Sequence, residues 1–343
     1  MRSPDPPRPA PGRFALVMAT GAIALGLRRV GEPGPALALT IIAAVSYVEV
    51  LAGELAALVR APRAYWSGLA PWRVRLGVFA FSAATTVLAE LAGAAGWGAV
   101  AVPLTVTGAL AALLWGAGVW QRRWSGGWLE EGGALWLLGP VSGLAASGAL
   151  AALAGHGIPW SRLLAVLQLS LLGVSLLAYL TLAAGLLWRL RLWPPLGALG
   201  PSYWIVAGAP ALAALSCSLA AIAARGVWPE AVPPLTLGGA ALLGLAGALL
   251  PLPATLTLQR FRLRRHLVGY RPEYWAGVFP LAVICLACLQ VGADRGWLAV
   301  VARLALGLAT AALGADLARA VLSRLLPSEP QPSGQQAGSD RTQ

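Results

Sequence analysis

Residues 163–187 read LLAVLQLSLLGVSLLAYLTLAAGLL and contain no charged residue over 25 positions. An α-helix needs about 20 predominantly apolar residues to cross the roughly 30 Å hydrocarbon core of a bilayer. The apolar residues run continuously along this stretch, whereas a helix on the surface of a soluble protein confines them to one stripe. The stretch is therefore predicted to be a transmembrane helix that suits a lipid-facing outer wall.

Nine further apolar runs follow the same pattern along the chain. They cover residues 14–27, 36–59, 76–95, 97–120, 134–154, 203–224, 232–258, 275–291 and 297–325. Hydrophobic residues make up 58% of the chain and charged residues 11%, and no polar region is large enough to fold as a separate domain. We therefore predict an all-α polytopic membrane protein with ten transmembrane helices in one domain, residues 13–326. The flanking segments 1–12 and 327–343 are predicted to be disordered tails.

The distribution of arginine predicts the orientation in the membrane. All 25 basic residues counted as lysine or arginine are arginines. Ten helices place both termini on one side, and 19 of the arginines fall in loops or tails on that side. The opposite side holds five, namely Arg28, Arg29, Arg162, Arg225 and Arg295, and Arg303 lies within the last run. Cytoplasmic loops carry the excess of basic residues, so both termini are predicted to be cytoplasmic in a multi-pass protein of the cell (inner) membrane. The net charge of +12 is explained in this way and indicates no nucleic-acid partner.

A weak internal repeat pairs the predicted helices. The odd-numbered runs begin about 58 to 71 residues apart. Three of them place an aromatic residue near the start and a proline soon after: Trp136 and Pro140, Trp204 and Pro210, Trp275 and Pro280. Proline inside a helix frees a carbonyl group, which in a membrane needs a partner or a wet cavity. The pattern predicts five helical hairpins, with kinked odd-numbered helices inside and strongly hydrophobic even-numbered helices outside.

Few residues offer catalytic or metal-binding chemistry. His156 and His266 fall in predicted loops on opposite sides of the membrane, which excludes the usual histidine-rich metal sites. Cys285 and Cys288 form a C-x-x-C within an apolar helix and are expected to be packing residues. Ser175 faintly resembles an intramembrane nucleophile, but no histidine is predicted at membrane depth to act as its base. We predict no metal, no cofactor and no enzyme activity, with an intramembrane enzyme as the alternative from another class.

Two carboxylates lie deep in the predicted spans, where ionisable residues are costly and often functional. These are Glu49 in the second run and Glu90 in the third. One interpretation makes them proton-coupling groups. The other, which we favour because no row of charges marks a relay, is an interhelical ion pair or hydrogen bond. The odd-numbered runs offer aromatic rings, glycines and hydroxyl groups, and a pore lined in this way favours weakly hydrated anions that a basic cytoplasmic mouth would concentrate.

Three short motifs resemble those of one family. Residues 11–21, PGRFALVMATG, are similar to its opening P-G-x-F-x-x-V-M-G-T-G, and residues 274–281, YWAGVFPL, are similar to its ninth-helix W-x-x-x-F-P. Residues 201–204, PSYW, also look similar. The chain thus resembles the tellurite-resistance/dicarboxylate transporter family, which includes slow-type anion channels and malate and sulfite transporters. Ala19 and Ala282 stand where the family usually has glycine, and each adds a methyl group near the implied pore.

The resemblance implies a homotrimer with one central pore in each subunit, lined by the odd-numbered helices. It also implies a phenylalanine gate, which corresponds to Phe279 here. The pore-lining candidates are Phe14, Met18, Thr20, Gly21, Pro140, Tyr203, Gly208, Pro210, Trp275 and Pro280. We expect a lipid-embedded carrier of small anions, either chloride- or nitrate-like or organic-acid anions. The alternative within transport is a proton-coupled dicarboxylate (malate) or sulfite exporter that uses Glu49 or Glu90.

Overall fold

The apolar runs fold into long helices. The computed structural model describes residues 10–122, 133–154, 161–191, 201–263, 275–292 and 295–325, and within these ranges it contains helices and turns but no β-strand. The α-helices are α1 (Phe14–Arg29), α2 (Pro33–Arg60), α3 (Pro62–Gly68), α4 (Trp72–Leu76), α5 (Val78–Ala94), α6 (Gly98–Arg122), α7 (Leu138–Ala154), α8 (Ser161–Arg191), α9 (Trp204–Ala224), α10 (Val232–Leu249), α11 (Pro251–Leu263), α12 (Trp275–Val291) and α13 (Gly296–Leu325). Short 3-10 segments precede α1, α7, α9 and α10.

Seven helical stretches are long and apolar enough to cross a membrane. They are Pro33–Arg60, Val74–Ala94, Gly133–Ala154, Arg162–Trp188, Trp204–Ala224, Pro229–Gln259 and Gly296–Leu322. The chain is therefore a helical, multi-pass membrane protein. The other three predicted spans correspond to α1, to α6 and to α12, of which α6 and α12 contain the shorter apolar stretches Gly98–Leu114 and Gly277–Val291 within the described residues. The count of ten crossings stays a prediction.

Each long helix packs against the next one along the chain, in the pairs α1–α2, α5–α6, α7–α8, α9–α10 and α12–α13. The first members of these pairs also pack against one another. The contacts run from α1 to α5, α7, α9, α12 and back to α1, so these five helices form a closed ring. We call them the inner ring. The second members, α2, α6, α8, α10 and α13, are the outer helices.

Burial separates the two sets of helices. In the stretches that contain α5, α7 and α9, between 78% and 83% of the residues are buried, against 11% to 33% in those that contain α2, α8, α10 and α13. Glycines at contacts between inner helices, such as Gly21 and Gly208, allow a close approach where no hydrophobic effect drives helix association. The outer helices expose leucine, isoleucine and valine. The inside and outside placement expected from the sequence is confirmed for these helices.

The predicted span 232–258 lies within the apolar stretch Pro229–Gln259, and the helix is interrupted once inside it. Helix α10 ends at Leu249, and α11 begins at Pro251. Proline has no N–H to continue the hydrogen-bond ladder, and its ring clashes with the preceding turn, so a break before Pro251 is the expected result. Pro103, in contrast, lies within α6 without ending it.

A short turn precedes α1 and contacts α2. Pro11 is buried in a 3-10 turn, and the N–H of Ala10 donates a hydrogen bond of 2.9 Å to Glu54 Oε1. This turn passes over Gly77, where a Cβ atom would lie 2.9 Å from the backbone nitrogen of Gly12. Residues 1–9, His156, His266 and the predicted tail 327–343 lie outside the described residues.

Candidate functional site

The predicted gate, Phe279, lies where two inner helices meet most closely. Its side chain is 3% exposed on α12 and belongs to the main hydrophobic core. The next residue, Pro280, faces Gly208 of α9, and a Cβ atom at position 208 would lie 2.8 Å from both Cβ and Cγ of the proline ring. Only glycine allows this approach, so the contact sets the spacing of α9 and α12 beside Phe279.

The carbonyl freed by Pro210 has a partner. Pro210 lies inside α9, so the carbonyl of Val206, four residues earlier, receives no helical hydrogen bond. Instead it accepts a 2.9 Å hydrogen bond from the hydroxyl group of Tyr179 on the outer helix α8. The turn of α9 that precedes Pro210 is thus tied to an outer helix, and this carbonyl is not left for a passing ion.

The candidates on α1 lie in its contacts with α2 and α5. The ring of Phe14 packs against Tyr47 and Phe81, with centroids 5.5 and 5.1 Å away. The hydroxyl of Thr20 donates back to the carbonyl of Leu16 at 2.6 Å. Gly21 faces α5, where a Cβ atom would collide with the side chain of Val87. These residues therefore hold α1 in the ring.

All ten pore-lining candidates are buried. The remaining ones are Met18 on α1, Pro140 on α7, Tyr203 just before α9 and Trp275 at the start of α12. The candidates come from four of the five inner helices. The structure brings them into one tightly packed core, and a path through that core requires side chains to move.

A cavity of about 380 Å³ lies at the other end of the ring, where the inner helices finish. Its walls come from α1, α5, α6, α7 and α9 and are mostly alanine and leucine. The polar residues that line it are Arg28, Arg29, Glu90 and Thr105. In the sequence the two arginines indicate only the orientation in the membrane, because no local pattern places them near Glu90, which lies in a different helix.

Neutral acceptors hold the two arginines at the cavity. Arg28 donates to the carbonyl of Ala94, the last residue of α5. Arg29 donates to Gln290 Oε1 of α12 at 2.7 Å. Helix ends leave carbonyl groups without partners, so the first contact also caps α5.

The two possible proton-coupling carboxylates, Glu90 and Glu49, have different surroundings. Glu90 is partly buried beside Gly148 and Ser216: a Cβ atom at position 148 would lie 3.3 Å from Glu90 Oε1 and 3.4 Å from Ser216 Oγ. Glu49 is exposed on the outside of α2 and does not line the cavity.

Glu54 is a structural anchor at the other side of the molecule. It accepts hydrogen bonds of 2.9 Å from the N–H of Ala10 and from the hydroxyl of Tyr65 in α3. Burial, together with this carboxylate, raises the pKa of Tyr65 above its usual range. The phenol therefore stays a donor, and the three segments stay connected.

The residues considered for metal binding or nucleophilic catalysis, Cys285, Cys288 and Ser175, lie in helix packing contacts. Among the described residues, no group of three or more His, Cys, Asp and Glu could hold a metal ion. Cys285 and Cys288 are buried in α12. Ser175 of α8 lies directly against Gly143, where a Cβ atom would overlap its Oγ. The small size of Gly143 lets α7 and α8 pack together at this point.

Comparison with known protein families gives one match that spans most of the chain. Residues 9–321 match the family model described as voltage-dependent anion channel. No curated protein matches the chain.

Proposed function

The chain belongs to the voltage-dependent anion channel family, and on this premise we propose that it conducts small anions through a pore along the axis of the inner ring, gated by Phe279. Family membership makes the protein a transporter or channel of anions and not an enzyme. The ten-helix, five-hairpin arrangement around a central pore is part of the proposal. The observation that carries it is the closed ring of five helices, one of which, α12, bears the buried Phe279.

The geometry of a five-membered ring supports an axial path. Helices packed about 8–10 Å apart in a ring of five have their axes about 7–9 Å from the centre. The backbone cylinder takes up about 2.3 Å of that distance, which leaves about 5–6 Å for side chains. Alanine and glycine leave a narrow central passage in such a ring, whereas one phenylalanine ring is large enough to fill it. The buried Phe279 is thus suited to close the path.

Anion selectivity follows from what the inner helices lack and what the ends of the ring provide. Apart from Glu90 near the end of α5, the inner helices offer hydroxyl, aromatic and apolar groups at depth, which cannot hold an ion tightly. Weakly hydrated anions cross such a surface at the lowest desolvation cost. Arginines at the ends of the helices raise the local anion concentration.

The test is anion flux in proteoliposomes for the wild type and Phe279→Ala, with chloride, nitrate, sulfite and malate in turn. We expect Phe279→Ala to raise chloride or nitrate flux about tenfold or more, because it removes the side chain that fills the path. Phe81→Ala is the matched control, since this ring packs between α1, α2 and α5. Equal flux in the wild type and Phe279→Ala would refute the gate.

A proton-coupled malate or sulfite exporter is the second candidate, and the observation that favours it is Glu90 beside the cavity. In that mechanism the carboxyl takes up and releases the coupled proton. Glu90→Gln would then abolish malate accumulation driven by a pH gradient, whereas a channel would keep its passive flux. Glu49 is exposed on the outer face of α2, which gives less support to a coupling role.

We also propose a homotrimer, as the family resemblance implies. Glu49 of α2 and Arg303 of α13 are exposed on faces otherwise made of leucine, isoleucine and valine. A charge facing lipid at the centre of a helix costs about 3 kcal/mol, and a neighbouring subunit would shield both. Light scattering in detergent should give three times the chain mass of 35.2 kDa after correction for bound detergent. A mass of a single chain would contradict the proposal.

A further inference from the structure

The cavity at the end of the inner ring has the composition of a ligand site. Its volume of about 380 Å³ could hold about ten waters, or a small anion with part of its hydration shell. Four inner helices contribute to its walls, so it lies on the same ring that surrounds Phe279. Gln290, which holds Arg29, lies 11 residues after Phe279 on α12, or about 16 Å along the helix. The cavity and the gate are therefore at different levels of the ring.

The charge of the two arginines is held in place without being neutralised. Arg28 is fixed by a backbone carbonyl and Arg29 by a side-chain amide oxygen. Among the described residues, neither arginine forms a salt bridge. A guanidinium group has five N–H donors, so each arginine keeps further donors for a ligand. The C-terminal ends of α1, α5 and α7 bring partial negative charge to this region. The two positive guanidinium groups outweigh it, so the local charge is positive.

Glu90 is the opposing charge in the cavity. Its carboxylate lines the same cavity as the two arginines. The missing side chain at Gly148 leaves room for the carboxyl group beside Ser216. With Glu90 ionised, the three groups carry a net charge of one positive unit, which permits binding of a monovalent anion but limits its strength. Residence is therefore short, which a site on a conduction path requires.

We propose that this cavity is a binding site for small planar oxyanions, with Arg28 and Arg29 as the donors and Glu90 as the residue that weakens the binding. Planar oxyanions fit because two parallel N–H groups of a guanidinium match two oxygens held in one plane. Nitrate and small carboxylates such as formate share this geometry, whereas a halide receives the charge but not the two-point contact. The inference rests on the proposed function, since it assigns the anions a site before the gate.

The test measures binding and not flux, so that its failure differs from failure of the gate. Purified protein in detergent is titrated with nitrate, formate or chloride at constant ionic strength, and the unfolding temperature is recorded. A ligand that binds only the folded state raises this temperature in proportion to its affinity. We expect nitrate and formate to stabilise the wild type more than chloride does. Equal stabilisation by all three anions would overturn the assignment to planar oxyanions.

Substitutions assign the site to residues. Arg29→Gln and Arg28→Gln should each weaken nitrate binding about tenfold or more, and Glu90→Gln should strengthen it by about the same factor. Arg29→Lys keeps the charge without the planar fork, so it should bind chloride as before and lose the preference for nitrate. Arg225→Gln is the matched control, because Arg225 is exposed at the end of α9 and does not line the cavity.

The outcomes separate the two hypotheses. Wild-type nitrate binding in Arg28→Gln and Arg29→Gln, or an equal loss in Arg225→Gln, would overturn the cavity site. If the cavity variants lose binding while Phe279→Ala leaves flux unchanged, the site stands and the gate fails. If Phe279→Ala raises flux and the cavity variants bind as the wild type does, the gate stands and the site fails.

Discussion

At the scale of single residues, the contact between Tyr179 and Val206 shows how the ring accommodates a proline. Pro210 removes one hydrogen bond from α9, and the Tyr179 hydroxyl replaces it from α8. The sequence predicted that the freed carbonyl would need a partner, but not which residue supplies it. Tyr179 lies 27 residues from Val206 in a different helix, and only packing brings them together.

Tyr179→Phe should lower the free energy of unfolding by about 1–2 kcal/mol, because it leaves the Val206 carbonyl buried without a donor. In a Pro210→Ala background the same substitution should cost less than about 0.5 kcal/mol, since an alanine at this position supplies the normal helical N–H. Reversible unfolding of the four proteins in mixed micelles measures the difference. The same cost in both backgrounds would show that the hydrogen bond does not replace the lost helical one.

At the scale of helices, local patterns predicted which helices lie inside but not which residues they bring together. The runs that contain Pro140, Pro210 and Pro280 became inner helices, and the leucine-rich run 163–187 became an outer helix. The run 232–258 was predicted as one span and lies within the single apolar stretch Pro229–Gln259, which Pro251 interrupts. The cavity was missed because Arg28 meets Ala94 across 66 residues, a proximity that no local pattern records.

The glycine at the closest approach of α9 and α12 gives a prediction for helix packing. Gly208→Ala should lower the free energy of unfolding by about 1–3 kcal/mol, because the new methyl group would lie 2.8 Å from the ring of Pro280. Gly173→Ala on α8 is the control, since a Cβ atom there meets nothing within 4 Å. Higher helix propensity should leave this control as stable as the wild type or up to about 1 kcal/mol more stable. A Gly208→Ala protein as stable as the control would mean that the two helices are not locked at this contact.

At the scale of the whole molecule, the proposed orientation can be read from cysteine labelling in intact cells. The native residues Cys217, Cys285 and Cys288 are buried, so they should give little background. Glu230→Cys, before α10, should react with an impermeant maleimide from outside, whereas Arg63→Cys in α3 should react only after the cells are opened. Both positions are exposed in the structure. The reverse pattern would invert the assignment of both termini to the cytoplasm.

The closed ring of five has a further consequence for mechanism. Transporters that work by alternating access are commonly built from two structurally related halves that rock against each other around a central site. A ring of five helices cannot be divided into two equal halves, and each inner helix here contacts its two neighbours in an unbroken cycle. A rocking motion would have to break two of the five contacts between inner helices, and it would leave two helices on one side and three on the other. A scaffold of odd order therefore favours a gate that moves within a stationary wall, and the rotation of a single side chain is the smallest motion of this kind.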